Sequence, residues 1–111
     1  MIAHQMLFTK NMALLIQFIF STGYGCTMGE ALRTHEQAII YAQKKMGIIN
    51  SQHCDRLAID LNVFSPDGKY LTKTEDYKRF GEYWEKLSKY NRWGGRFKSR
   101  PDGNHFEMED L

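Results

Sequence analysis

The stretch Leu57-Ala-Ile-Asp-Leu-Asn-Val-Phe64 constrains the fold more than any other part of the chain. Leu57, Ile59, Leu61 and Val63 alternate with Ala58, Asp60 and Asn62. A period of two puts the first set on one face of a strand and the second on the other. A strand with one apolar and one polar face belongs in a sheet covered on one side, which favours antiparallel neighbours. The next residues, Ser65-Pro-Asp-Gly-Lys69, form a strong turn, because proline fixes φ and glycine accepts positive φ. Lys69–Leu71 is then predicted as the hairpin partner. Asp60 is left on the polar face.

Two apolar helices are predicted to cover the other face. Phe8, Met12, Leu15, Ile16 and Ile19 recur at helical spacing, with Lys10, Asn11, Gln17 and Ser21 largely elsewhere and a stop at Gly23. The apolar run Met12–Phe20 resembles the middle of a secretory signal, but no small-x-small cleavage site follows it. It is also far short of the roughly 17–25 residues that a membrane-spanning helix needs. Tyr77, Phe80, Trp84 and Leu87 mark the other helix, opened by a Thr72/Glu75 capping box. A further helix, with a Thr34/Gln37 box and a stop at Gly47, is predicted between them. Short strands are expected at Cys26–Arg33, Trp93–Phe97 and His105–Met108. The expected class is therefore α+β, with helices packed on a small, mostly antiparallel sheet.

With 111 residues, 42% hydrophobic and 25% charged, the chain is expected to form one soluble globular domain over 1–111, too short for a separate binding module. A net charge of +2 without clustered Lys/Arg excludes a nucleic-acid footprint. Cys26 and Cys54 lack framework spacing and read as reduced thiols rather than a disulfide.

The residues with chemical potential gather in two places. His53 lies seven residues before Asp60, so a folded-back loop can bring imidazole and carboxylate together. His105 leads another strand, and Asp102 precedes it by three residues across the turn Arg100-Pro-Asp-Gly-Asn104. Two imidazoles and one carboxylate suit a catalytic zinc, since three protein ligands leave a fourth position for water. Asp102 would then be the base for that water. His4, in a frayed terminus, and His35, in the first turn of a helix, read as surface residues. The same residue types also fit solvated turns, and composition leaves both readings open.

The run Ser51-Gln-His53-Cys-Asp-Arg-Leu-Ala58-Ile-Asp60 resembles the SxHxxGxAxD motif of the zinc D-Ala-D-Ala carboxypeptidases, a family that includes phage L-alanyl-D-glutamate endopeptidases. Asp102-Gly-Asn-His105-Phe106 resembles its second signature: an acidic residue, two others, then histidine and an aromatic. GEALRTHEQAIIYA, AIDLNVF, DGKYLTKTEDYK, GEYWEKL and WGGRF also resemble short phage and prophage members in the same order, over roughly residues 10–108.

The resemblance implies a Hedgehog-like α+β fold with Zn²⁺ held by His53, Asp60 and His105, and Asp102 as general base. It implies that Arg33 polarises the scissile carbonyl; a surface ion pair with Glu30 or Glu36 is the alternative for this residue. Ser51 would hydrogen-bond behind the ligands. Two departures stand out: Arg56 replaces the motif glycine, and Cys54 adjoins His53. Adjacent residues of an extended segment point oppositely, so Cys54 is left out of the ligand set.

The implied function is hydrolysis of peptidoglycan stem peptides at the L-alanyl-D-glutamate bond, as a phage or prophage endolysin. Such a protein would be held in the host cytoplasm and released through a holin-type pore. A D,D-carboxypeptidase on the same scaffold is the alternative. A catalytically silent domain that binds cell wall or a partner is a third reading.

Overall fold

The computed structural model describes residues 2–31 and 57–109. Arg33, Ser51, His53, Cys54 and the helix expected over 34–47 lie outside the described residues. Helix α1 runs Ile2–Ser21, and its core face is Phe8, Asn11, Met12, Leu15 and Ile19. No proline or glycine interrupts it. Past its end, the Thr22 and Gly23 amides donate to the Phe18 and Phe20 carbonyls at 3.2 and 3.1 Å, and Gly23 takes φ +88°. This is the left-handed closure that glycine permits at a helix end.

Asn11 corrects the expectation that it lies on the polar side. The i, i+3, i+4 stripe that starts at Phe8 passes over position 11. Its Nδ2 is buried with no partner among the described residues. His4 is a second correction. The helix begins before it, so the residue is half-buried against the Tyr90 ring at 5.3 Å rather than frayed.

Strand β1 is Gly25–Met28 and β2 is Ala58–Phe64, antiparallel with Cys26 opposite Val63 and Met28 opposite Leu61. Helix α2 is Lys78–Leu87, followed by β3 (Asn91–Trp93) and β4 (His105–Met108). The sheet order is β1-β2-β4-β3, with every neighbour antiparallel. Ile59, Leu61, Val63, Phe106 and Met108 face the helices and join Leu15, Ile19, Phe80 and Trp84 in one core. Aromatic contacts lock the helices over the sheet. Phe18 stacks on Tyr83 at 4.0 Å, and Trp84 meets Phe8 and Phe106 edge-on at 5.5 and 6.1 Å. The alternation read from Leu57–Phe64 therefore holds, and the α+β class with it.

Four boundaries differ from expectation, the first being the strand expected at Cys26–Arg33, which covers Gly25–Met28 and stops before Gly29. The Lys69–Leu71 partner strand shrinks to a single Phe64–Tyr70 bridge. Its cause is Tyr77, whose hydroxyl accepts the Val63 N–H (3.2 Å) and donates to the Leu71 carbonyl (2.9 Å), occupying the place of a ladder bond. The Thr72/Glu75 capping box does not form. A 3-10 turn over Thr74–Tyr77 opens the helix instead, with the Asp76 amide closing onto the Lys73 carbonyl at 3.0 Å. Finally, the strand predicted at Trp93–Phe97 ends at Trp93. Gly94–Arg96 turns away as a 3-10 segment, which two adjacent glycines with no side chains to pack favour over a strand.

Candidate metal centre

The face of the sheet turned away from the helical core carries the polar half of the alternation. In the β2–β4 register Asp60 lies directly opposite His105. Such partners bring their Cβ atoms within about 4.5–5.5 Å, close enough for side chains to meet. Here Asp60 Oδ1 lies 3.1 Å from His105 Nδ1.

Asp102 reaches the same spot from the turn before β4, which is fastened at several points. Its amide donates to the Gly94 carbonyl (2.9 Å), and its own carbonyl accepts the His105 amide (3.2 Å). Trp93 Nε1 donates to the Gly103 carbonyl (2.8 Å), and the Leu61 amide to the Asn104 carbonyl (2.9 Å). The PDGN turn is thus tied to β2 and β3 together. SPDGK, by contrast, is closed by its own bonds: the Ser65 amide to the Lys69 carbonyl and the Gly68 amide to the Ser65 carbonyl, both 2.8 Å. Asp67 there pairs with Ser65 and Lys69, as a turn residue does.

One ligand atom each from Asp60, Asp102 and His105 lie within 4.8 Å of one another. His105 is buried, Asp60 half-buried and Asp102 exposed. The donor chemistry fits a zinc ion. Arms of about 2.0–2.2 Å to nitrogen and oxygen give a tetrahedron with edges of roughly 3.3–3.6 Å. The 3.1 Å between Asp60 Oδ1 and His105 Nδ1 needs little adjustment to become such an edge.

Behind the imidazole is a residue that the sequence reading missed. Glu107 Oε1 lies 2.7 Å from His105 Nε2. Its other oxygen is paired with Arg92, its register partner on β3. The signal was available, since His105 and Glu107 are two apart on a strand and share a face. Burial alone would push the His105 imidazole down, but hydrogen bonds and charge from Asp60 and Glu107 outweigh it and lift the group to about 9. For Glu107, burial would raise the carboxyl, while His105 and Arg92 together hold it below its ordinary value.

A cleft of about 250 Å³ opens beside Asp102, between the turn and the Tyr70–Tyr77 segment, with Thr72, Lys73, Thr74 and Asn104 on its walls. Cys26 is outside this donor group among the described residues; its thiol is reduced and half-buried, and burial pushes it up. Of the expected residues, the fold brings together Asp60, Asp102 and His105. Arg33, Ser51 and His53 belong to the segment outside the described residues.

Comparison with known proteins matches the chain to a family. A model described as D-alanyl-D-alanine carboxypeptidase matches residues 44–108, a span that includes His53, Asp60, Asp102 and His105. Curated proteins give no match. Among solved structures, the chain is similar to the Serratia marcescens L-Ala D-Glu endopeptidase ChiX, with a TM-score of 0.64 and 20% identity. The likeness is one of fold, covering 76% of this chain and 66% of that one. With the family model spanning more than half of its residues, the chain belongs to the D-alanyl-D-alanine carboxypeptidase family of peptidases.

Proposed function

We propose that this chain is a zinc peptidase of bacterial peptidoglycan, cleaving stem peptides between L-alanine and D-glutamate as a phage or prophage endolysin. The observation that carries the reading is Asp102: an exposed carboxylate beside Asp60 and His105, on a turn that lines a cleft. An exposed carboxylate held against the donor set is suited to exchanging protons as a general base.

His53, Asp60 and His105 would hold the metal, which when bound supplies an acidified water and an electrophile for the substrate carbonyl. Asp102 accepts the proton of the attacking water. As the C–N bond breaks, the same carboxyl returns that proton to the departing amine. Arg33 supplies a fixed cation for the charge that develops on the carbonyl oxygen, an interaction stronger in the transition state than in the ground state. Ser51 would hydrogen-bond behind the ligands, as the resemblance of its motif implies. The cleft beside Asp102 accepts the peptide on one side of the scissile bond, and its polar walls suit a stem peptide rich in carboxylates and amides.

The fold likeness to an L-Ala D-Glu endopeptidase supports the choice of bond. The description of the matching family, D-alanyl-D-alanine carboxypeptidase, supports a second reading, removal of terminal D-alanine. Digesting purified peptidoglycan and identifying the products separates them. New amino-terminal D-glutamate supports the endopeptidase, and free D-alanine the carboxypeptidase. Neither product, from zinc-loaded protein, would sink both in favour of a catalytically silent wall-binding domain. No helix among the described residues is long and apolar enough to cross a membrane. An endolysin of this kind would wait in the host cytoplasm and reach the wall through a holin-type pore.

A further inference from the structure

Glu107 is 6% exposed, yet it carries a carboxylate on the face of the sheet opposite the core. A buried carboxylate is costly unless both oxygens are engaged. Here one oxygen meets His105 Nε2 at 2.7 Å and the other meets Arg92. Arg92 is half-exposed, so the arrangement runs from solvent through a guanidinium and a carboxylate to the imidazole. It is anchored by backbone as well as side chains. Arg92 and Glu107 are direct partners in the β3–β4 register, and Trp84 Nε1 donates to the carbonyls of both, at 3.1 and 3.0 Å.

An imidazole has two nitrogens, and a neutral ring that donates through one presents a lone pair at the other. Nε2 points at a carboxylate, which accepts only. Nδ1 faces a carboxylate too, but at the longer 3.1 Å and on Asp60, the residue read with His105 as a metal ligand. We propose that Glu107, clamped by Arg92, is a positioning residue that holds His105 with its proton on Nε2 and offers Nδ1 to the metal. This rests on the reading of Asp60 and His105 as metal ligands. Carboxylates placed in this way fix ring orientation and raise the ligand's donor strength, and their loss typically weakens metal binding 10–100-fold.

The test is zinc affinity, measured on the whole chain by competition with a chelator of known strength, for wild type, E107Q and E107D. Gln keeps the size and removes the charge. Asp keeps the charge and withdraws it from the ring by about one bond length, so it remains informative if E107Q does not fold. Both variants are expected to bind zinc about 10–100-fold more weakly. In the zinc-loaded wild type, two-bond proton–nitrogen NMR is expected to show His105 protonated at Nε2 and metal-bound at Nδ1. Affinities within about twofold of wild type, with equal loss of thermal stability in apo and loaded forms, would reduce Glu107 to a structural partner of Arg92 and overturn the proposal. Zinc bound through Nε2 would overturn it too. Failure of the wild type itself to bind zinc would instead remove the metal reading beneath it.

Discussion

Gly94 couples the fold to the site more tightly than any ligand does, and replacing it with alanine measures that coupling. Its φ is not among the positive values, so an alanine meets no backbone strain there. The cost is steric. A Cβ at position 94 would lie 2.8 Å from His105 Cβ and 3.1 Å from the His105 carbonyl oxygen, and closer still to the Asp102 carbonyl. Ordinary contact begins at 3.4 Å, so the start of β4 must retreat by about 0.6 Å at His105 and by about 1 Å at Asp102. The neighbours that must move are backbone and Cβ atoms, which cannot swing aside as a flexible side chain can. Overpacking of this kind costs about 1–3 kcal/mol, which a folded protein of this size usually survives.

The functional cost is larger, because a misplacement of about 1 Å at a reacting centre can cost 10²-fold. Gly94→Ala is therefore expected to fold, to melt at a lower temperature, and to lose about 10²-fold in kcat/KM. The assay is release of new amino termini from purified peptidoglycan by zinc-loaded protein. Gly68→Ala is the control. Gly68 takes φ +86°, and no heavy atom lies within 4 Å of where the added methyl would sit. Alanine there is strained but touches nothing, and it lies in the turn that does not carry the site. It should lose about 1–2 kcal/mol of stability and keep its activity. If Gly94→Ala turns over within about threefold of wild type, the 94–102 contact does not set the geometry of the site, and the reasoning fails.

Other outcomes follow from the same contacts. Asp102→Asn is expected to fold and retain zinc while losing about 10²–10⁴ of its rate; wild-type lysis of cell walls by this variant would exclude Asp102 as the base. His105→Ala is expected to abolish zinc retention after dialysis, where wild type keeps about one ion per chain, and elemental analysis decides it. Removing metal from wild type with a chelator should end hydrolysis, and added zinc should restore it. Tyr77→Phe deletes the hydroxyl that joins Val63 to Leu71 and leaves the Val63 amide without that partner. A loss of about 1–3 kcal/mol in urea unfolding is expected. Burial also pushes the Tyr77 phenol above its ordinary 10. Its contribution is whole below pH 10 and is lost as pH rises through the higher folded value, so Tyr77→Phe should flatten that part of the alkaline decline.

The alternation at 57–64 and the aromatic stripe at 77–87 were legible because each buries one face against a single neighbour, and period alone reports that. Residues whose role depends on a distant partner were harder to read. Asn11 lies within an apolar stripe, and polarity alone assigned it to the wrong side. The Lys69–Leu71 strand looked sound locally, but the phenol of Tyr77 stands in for one of the ladder bonds that a second strand would have made. Asp60, Asp102 and His105 were singled out in the sequence and lie together in the structure, and the register explains why two of them meet. Glu107 escaped because a glutamate in a strand reads as solvated surface until Arg92 and His105 are seen on either side of it.

Core and site also specify each other through the register of β2 against β4. Ile59 faces Phe106 in the core, and Asp60 faces His105 on the opposite side. A slip of one residue between these strands would exchange the faces. Asp60 would then enter the apolar layer among Leu15, Phe80 and Trp84, where an unpaired carboxylate costs several kcal/mol. Ile59 would take its place beside His105 and Glu107, which would lose their carboxylate partner. The burial that stabilises the sheet therefore also disfavours every pairing in which the donor set is taken apart. The turn at 100–104 extends the same logic to Asp102, since its bonds to Gly94, Trp93 and Leu61 can all form only in that register. A small peptidase can in this way hold a polar constellation on a scaffold of modest size: the apolar half of each strand fixes the position of its polar half.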